Sequence, residues 1–114
     1  MAGCLFCSIV KGDIPSDTVY EDERLIAFRD INPRAPVHVL VVPRQHREKV
    51  LDYGPGDEGL LGRMVLAANE IARTEGIADD GYRLVINCGE AGGQEVGHLH
   101  LHLLGGREME WPPG

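Results

Sequence analysis

Cysteine is scarce: three residues among 114 (Cys4, Cys7, Cys88), an odd number that forms no complete disulfide set. That usage fits a reducing cytoplasm better than export. Positive charge is also short. Eleven Lys and Arg stand against eighteen Asp and Glu, for a formal net charge of −7 at pH 7. Such a balance argues against non-specific binding of nucleic acid or of an anionic membrane surface. Long apolar runs are missing. The longest, Met64 to Ala68, is far short of the roughly 20 residues that a membrane span requires. Residues 1–15 have neither a basic start nor a long apolar stretch, so no secretory signal is expected. No repeat, low-complexity tract or linker divides the chain. What is present is 43% apolar residues, enough for a core, and the expectation is one domain over residues 1–114.

The hydrophobic pattern predicts an ordered series of short elements. Leu5 to Val10 reads as a short helix ending at Gly12, followed by a turn at Ile14-Pro15. Thr18 to Glu21 and Leu25 to Arg29 read as strands joined by the acidic Asp22-Glu23 turn. Val37 to Val42 is apolar on both faces except for His38, so it belongs in the middle of a sheet, with Pro43 ending it. From Asp57 to about Glu75, Leu60, Leu61, Met64, Val65, Ala68, Ile71 and Ala72 recur at helical spacing, and Gly76 supplies a left-handed stop. Tyr82 to Asn87 and His98 to Leu104 complete the strands, and two prolines keep the tail irregular. Short β-turn-β connections favour antiparallel pairing, so the fold class is α+β, one sheet layer with a helix packed on it. An almost wholly apolar strand and Trp111 in the tail further suggest surface that one protomer does not cover. By default Trp111 docks the terminus onto the body or onto a partner.

The strongest chemical signal is His98-Leu99-His100-Leu101-His102. With five histidines in the chain, ~0.01 such triplets at i, i+2, i+4 are expected by chance. On a strand the three imidazoles share one face and the leucines the other. A solvent face would more usually carry Thr, Lys or Glu. One ion cannot bind all three, because the outer two lie roughly 13 Å apart on a regular strand. The histidines must therefore divide the work, and imidazole near neutral pH suits attack at phosphorus, as nucleophile, acid or phosphate-oxygen donor. Just upstream, Asn87-Cys88-Gly89-Glu90-Ala91-Gly92-Gly93-Gln94 is either an ordinary hairpin loop or a turn whose N–H groups converge on an anion. Cys4-x-x-Cys7, with His46 after the Val37 strand, is either a pair of incidental thiols or half of a tetrahedral metal site. The Gly54-Pro55-Gly56-Asp57-Glu58-Gly59 run matches a dinucleotide fingerprint by letter only, since it follows no buried strand and carries two carboxylates.

Taken together, Gly93-Gln94-Glu95-Val96-Gly97-His98-Leu99-His100-Leu101-His102-Leu103-Leu104 resembles the histidine triad (HIT) family. Leu103-Leu104-Gly105-Gly106-Arg107 and Trp111-Pro112-Pro113-Gly114 are similar to its Hint branch, the purine nucleoside phosphoramidases. The likeness extends to Ile14-Pro15, to Ala27 through Pro33 and to Pro36 through Pro43. It implies an α+β HIT-like fold with an antiparallel sheet of about five strands, one long and one short helix, and sheets joined across a homodimer. It also implies a mechanism: His100 attacks the α-phosphorus, a nucleotidyl-histidine forms, and water releases the nucleoside monophosphate. By the same resemblance His102 holds phosphate oxygens, His98 orients the site and His38 supports the triad from behind. Gly93, Gln94, Glu95 and Asn87 line the phosphate and leaving-group side, and Asp30 meets the ribose beside Ile31. Zinc-containing members bind one structural ion through residues that match Cys4, Cys7, His46 and His98; no organic cofactor is implied.

Two positions depart from the family pattern. Glu95 stands where many Hint proteins carry a hydroxyl, so it either protonates the leaving group or repels anionic ones. Gly97 stands where an aromatic residue is common. The expected substrate is a purine nucleoside phosphoramidate, with the monophosphate as product. The rivals are a HIT-type hydrolase or transferase acting on dinucleoside polyphosphates, and a nucleotide-binding interaction module with incidental turnover.

Overall fold

The computed structural model describes residues 3–114. Five strands form one sheet: β1 (Thr18–Glu21), β2 (Leu25–Arg29), β3 (Val37–Pro43), β4 (Tyr82–Val85) and β5 (Leu101–Gly105). Their spatial order is β1-β2-β3-β5-β4, and each neighbouring pair is antiparallel. The apolar strand β3 lies third of five, where its composition places it. Two helices accompany the sheet, α1 (Leu5–Val10) and α2 (Glu58–Thr74), with a 3-10 turn at Val50–Asp52. Among the described residues no helix is long and apolar enough to cross a membrane.

Side-chain alternation decides what each sheet face meets. Leu25, Ala27, Val39, Val41, Leu99, Leu101 and Leu103 turn toward α2 and pack on Leu60, Met64, Ala68 and Ile71. Burying each leucine there contributes about 1.5–3 kcal/mol. Ile26, Phe28, Leu40 and Val42 turn to the other face, where Phe6 of α1 joins them. This second cover explains why β2 and β3 are apolar on both sides. It also corrects the inference from β3's apolarity: its two faces are covered by the protomer's own helices.

Other expectations shift in detail. Val65 is 40% exposed and Leu66 59%, so Val65 belongs to the outer face of α2 rather than the core. Asp57 is the N-cap of α2 and Glu75 its C-cap; Gly76 follows with φ +78°, as the stop required. The histidine strand begins at Leu101, not His98, and β4 ends at Val85 rather than Asn87. The reason lies at the end of β3. The ladder's last pair is Val41 with Leu101, beyond which Pro43 has no N–H to offer. Residues 96–98 form a bend and 99–100 lie outside the ladder, with the His98 N–H donated to the Val96 carbonyl and the Leu99 N–H to the Arg47 carbonyl, each at 2.9 Å. Alternation survives this loss of pairing, because Leu99 remains in the α2 core while His98 and His100 turn the other way. Trp111 is 82% exposed, so it does not dock on the body of this protomer.

Candidate functional site

The second sheet face carries the chemistry. β3 and β5 are paired with Leu40 opposite His102 and His38 opposite Leu104, so His38 and His102 are diagonal neighbours on the face that α1 partly covers. α1 stands off at one end and leaves a cavity of about 660 Å³. Its apolar wall comes from Phe6, Ile9, Ile14, Phe28 and Leu40, and its polar end from Asp30, Asn87, Glu95, His100 and His102. A second opening of about 570 Å³ adjoins it, bounded by Asp30, Arg34, His38, Glu95 and His102.

The protonation of each imidazole follows from a backbone partner. The His100 Nδ1–H donates to the His98 carbonyl at 2.8 Å, because a carbonyl only accepts. The neutral ring therefore presents the lone pair of Nε2, the free nitrogen of a nucleophile. His98 is reversed. Its Nε2–H donates to the Pro43 carbonyl at 2.7 Å, leaving Nδ1 as the lone pair. For His38, the Arg34 N–H donates to Nδ1 at 3.0 Å, so the ring proton sits on Nε2. That Nε2–H faces His102 Nδ1 at 2.9 Å, which must accept, and His102 keeps its proton on Nε2. The arrangement offers one nucleophilic nitrogen and one donor on neighbouring rings whose centroids are 4.9 Å apart.

Burial, followed by the positive charge that His100 and His38 would carry, lowers the His102 pKa to about 4. Burial lowers His38 as well, against the pull of the Asp30 carboxylate 3.5 Å from its Nε2. Both rings are neutral at neutral pH, so the tautomers above decide their behaviour. Asp30, His38 and His102 also lie close enough to suggest a metal group. The tautomers argue against it, since His38 Nε2 carries the proton and has no lone pair to offer a cation.

The other end of the histidine run has the opposite character. Cys4 caps α1 and its Sγ accepts the Cys7 N–H at 3.3 Å, which brings both sulfurs to one side of the first turn. His98 Nδ1 lies 3.4 Å from Cys4 Sγ, 3.6 Å from Cys7 Sγ and 3.1 Å from His46 Nδ1, and Cys7 Sγ lies 3.4 Å from His46 Nδ1. Tetrahedral zinc with ordinary bond lengths separates its N and S ligands by ~3.3–3.8 Å. These four separations lie within a few tenths of an ångström of that range, and all four donor atoms lie within 4.8 Å of one another. Burial and the Cys4 thiol push the Cys7 thiol up from its ordinary value. Burial likewise lowers His98, keeping its ring neutral as a ligand requires.

Of the residues singled out from sequence, His100, His102, Asp30, Ile31, Asn87, Gly93 and Glu95 meet at the larger cavity. His98 and His46 join the cysteines instead. Gln94 does not reach the cavity wall. Its Nε2 donates to the Glu48 and Val96 carbonyls and its Oε1 accepts the Gly89 N–H, so it braces the loop. Asn87 donates to the Gly92 carbonyl at 2.7 Å, and a Cβ on Gly92 would come 2.5 Å from the Cys88 carbonyl oxygen. Sequence reading missed Phe6. Its ring stands edge-on to both His98 and His100, at 6.0 and 5.1 Å, between the cysteine cluster and the cavity. The only hint was its place between the two cysteines on a short helix.

Comparison with known proteins agrees with this geometry. The HIT domain matches residues 11–109. The chain is 50% identical over 105 residues to the purine nucleoside phosphoramidase of Escherichia coli K12, covering 92% of this chain and 88% of that protein. It is 48% identical over 113 residues to the 14 kDa zinc-binding protein of Zea mays, covering 96% and 87%. Among solved structures it superposes on a HIT family hydrolase from Legionella pneumophila with a TM-score of 0.96 and 50% identity, covering 98% and 100% of the two chains. The chain is a member of the HIT family, the histidine triad proteins.

Proposed function

We propose that the protein hydrolyses the P–N bond of purine nucleoside 5′-phosphoramidates. The observation that carries this reading is the pair of opposed tautomers at one cavity, a lone pair on His100 Nε2 and a proton on His102 Nε2. The apolar wall from Phe6 to Leu40 accommodates a purine, and Asp30 stands at the polar end where a ribose hydroxyl would bond. His100 attacks the phosphorus through its Nε2 lone pair, the P–N bond breaks as the departing amine takes a proton from solvent water, and a nucleotidyl-histidine results. His102 donates to a phosphate oxygen as charge develops there. Water then attacks the intermediate, displacing His100 and releasing the monophosphate. Gly93, Gln94, Asn87 and Glu95 shape the phosphate end, Gln94 through the loop it braces. Glu95 lines the cavity where the leaving group would exit, and a carboxylate there disfavours a departing nucleotide, hence the preference for P–N over P–O–P bonds.

Cys4, Cys7, His46 and His98 would hold one structural zinc, which ties α1 to the start of the histidine segment. The relatedness to a zinc-binding plant protein supports this assignment. The chain would act as a homodimer in the cytoplasm. β4 is one of the sheet's two edge strands, with one side unpaired, and Val65 and Leu66 leave an apolar outer face on α2. Pairing there would join two sheets and bring a mass near twice 12.5 kDa in light scattering. The decisive experiment is rapid quenching with an adenosine phosphoramidate followed by mass spectrometry. A nucleotidyl adduct on His100 is expected. A protein that binds AMP yet neither turns over nor forms the adduct would be a binding module instead.

A further inference from the structure

We propose that Arg107 is a positioning residue for this site: it holds the turn whose backbone amide decides which nitrogen of His102 carries the proton. The proposal rests on the reading of His102 as a phosphate donor. The Arg107 Nε–H donates to the Arg34 carbonyl at 3.0 Å, and its Nη1–H to the Glu108 carbonyl at 3.1 Å. Directly before it, Gly106 has φ +88°, and a Cβ there would come 2.9 Å from Pro36 Cβ. The end of β5 is thus tied to residue 34 by one hydrogen bond and passes Pro36 so closely that a side chain on residue 106 would not fit.

What that turn presents is the Arg34 N–H, donated to His38 Nδ1. The consequence lies in the next bond. A hydrogen bond between His38 Nε2 and His102 Nδ1 can form with the proton on either ring. In one state His38 donates and His102 keeps Nε2–H for the cavity. In the other, His38 carries its proton on Nδ1 and accepts through Nε2. His102 then donates from Nδ1, and a lone pair on its Nε2 faces the phosphate. The first state provides a donor for developing charge, and the second repels it. Two groups choose between them. The Arg34 amide requires a lone pair on His38 Nδ1, and the Asp30 carboxylate beside His38 Nε2 favours a proton there. Removing Arg107 loosens the first and leaves the second, so the effect should be partial.

Arg107 is exposed, so its replacement leaves the core intact, and thermal melting checks this. Long-range proton–nitrogen NMR of the nucleotide-free, metal-loaded protein reads histidine tautomers directly. Wild type should show His102 wholly protonated on Nε2. Arg107→Ala should show a mixture, with kcat on an adenosine phosphoramidate lowered about 10-fold and KM within about 2-fold. Arg107→Lys, whose ammonium still donates to a carbonyl, should recover most of both. Wild-type tautomer and kcat in Arg107→Ala would overturn the proposal, as would a loss of kcat with an unchanged His102 tautomer. Because tautomers are read without substrate, absence of P–N turnover in wild type would instead count against the functional reading.

Discussion

His98 and His100 are two residues apart, lie on the same sheet face and touch the same phenyl ring of Phe6, yet they are prepared for opposite tasks. His98 donates from Nε2 to Pro43 and turns Nδ1 toward two sulfurs and a second imidazole. His100 donates from Nδ1 to the His98 backbone and turns Nε2 to the cavity. A carbonyl in a different place is enough to leave the free lone pair on Nδ1 of one ring and on Nε2 of the other. Residue type supplies the capability, and the backbone acceptor selects which nitrogen expresses it.

The sharpest way to break the comparison is to remove the nucleophile. His100→Ala should lower kcat on an adenosine phosphoramidate by roughly 10⁴ or more while AMP binding changes little. Calorimetric AMP titration beside a turnover assay checks both halves. Near-normal turnover would mean that a different histidine attacks. Bond choice comes next. Wild-type kcat/KM for an adenosine phosphoramidate should exceed that for a diadenosine polyphosphate by roughly 10³, about 4 kcal/mol in the transition state. Glu95→Ser should narrow that gap about 10-fold if the carboxylate repels the departing nucleotide. Equal efficiencies in wild type would favour the polyphosphate hydrolase.

The metal end is probed by composition and melting. Elemental analysis of purified protein should give about one zinc per chain, and Cys7→Ser should lose most of it. Losing a structural ion that joins α1 to the histidine segment should cost a few kcal/mol, a fall in Tm of roughly 10 °C or more for a domain of this size. Because Phe6 sits between the two ends, that variant should also loosen the cavity wall and raise KM more than it lowers kcat. Equal, negligible zinc in both proteins would remove the assignment.

Element types were legible wherever a local pattern caused them. Helical spacing marks α2, the Asp22-Glu23 turn joins β1 to β2, and an apolar run marks the central β3. The histidine strand was read as starting three residues too early for the same reason. Alternation continues through His98 and Leu99, but pairing requires a partner strand, and that partner ends in a proline. At the site, the histidine triplet and the Cys-x-x-Cys pair were readable as side chains that the fold gathers, whereas the tautomers were not. They depend on Pro43, Arg34 and the chain direction at residues 98–100, and no side-chain letter records where a carbonyl points. Gln94 shows the same limit: an amide placed among phosphate-binding candidates bonds the Glu48 carbonyl, 46 residues away in sequence. Arg107, without direction in the sequence, acquires one only when β5 meets the turn before β3.

The smallest expected effect concerns acid, and it separates the neutral histidines at the cavity from the rest of the chain. His102 has a native pKa of about 4 against an ordinary value of 6.5, and burial lowers His38 in the same direction. Between those values the unfolded chain binds protons that the native state refuses, so stability falls as pH is lowered through the window and is flat above it. The slope cannot exceed ~1.4 kcal/mol per pH unit for each ring. His102 is only partly buried, so the drop should stay below that ceiling. Zinc release in acid would add its own loss, but it is common to wild type and to a His102→Gln variant, whose amide can still bond His38. The informative quantity is therefore the difference between their urea unfolding energies at successive pH values from 7.5 to 4.5. That difference should be constant above about pH 6.5 and then move in favour of His102→Gln as the pH falls, by about 1 kcal/mol in all. Parallel curves across the whole range would show that His102 titrates like an exposed imidazole, and the neutral donor at the phosphate would have to be given up.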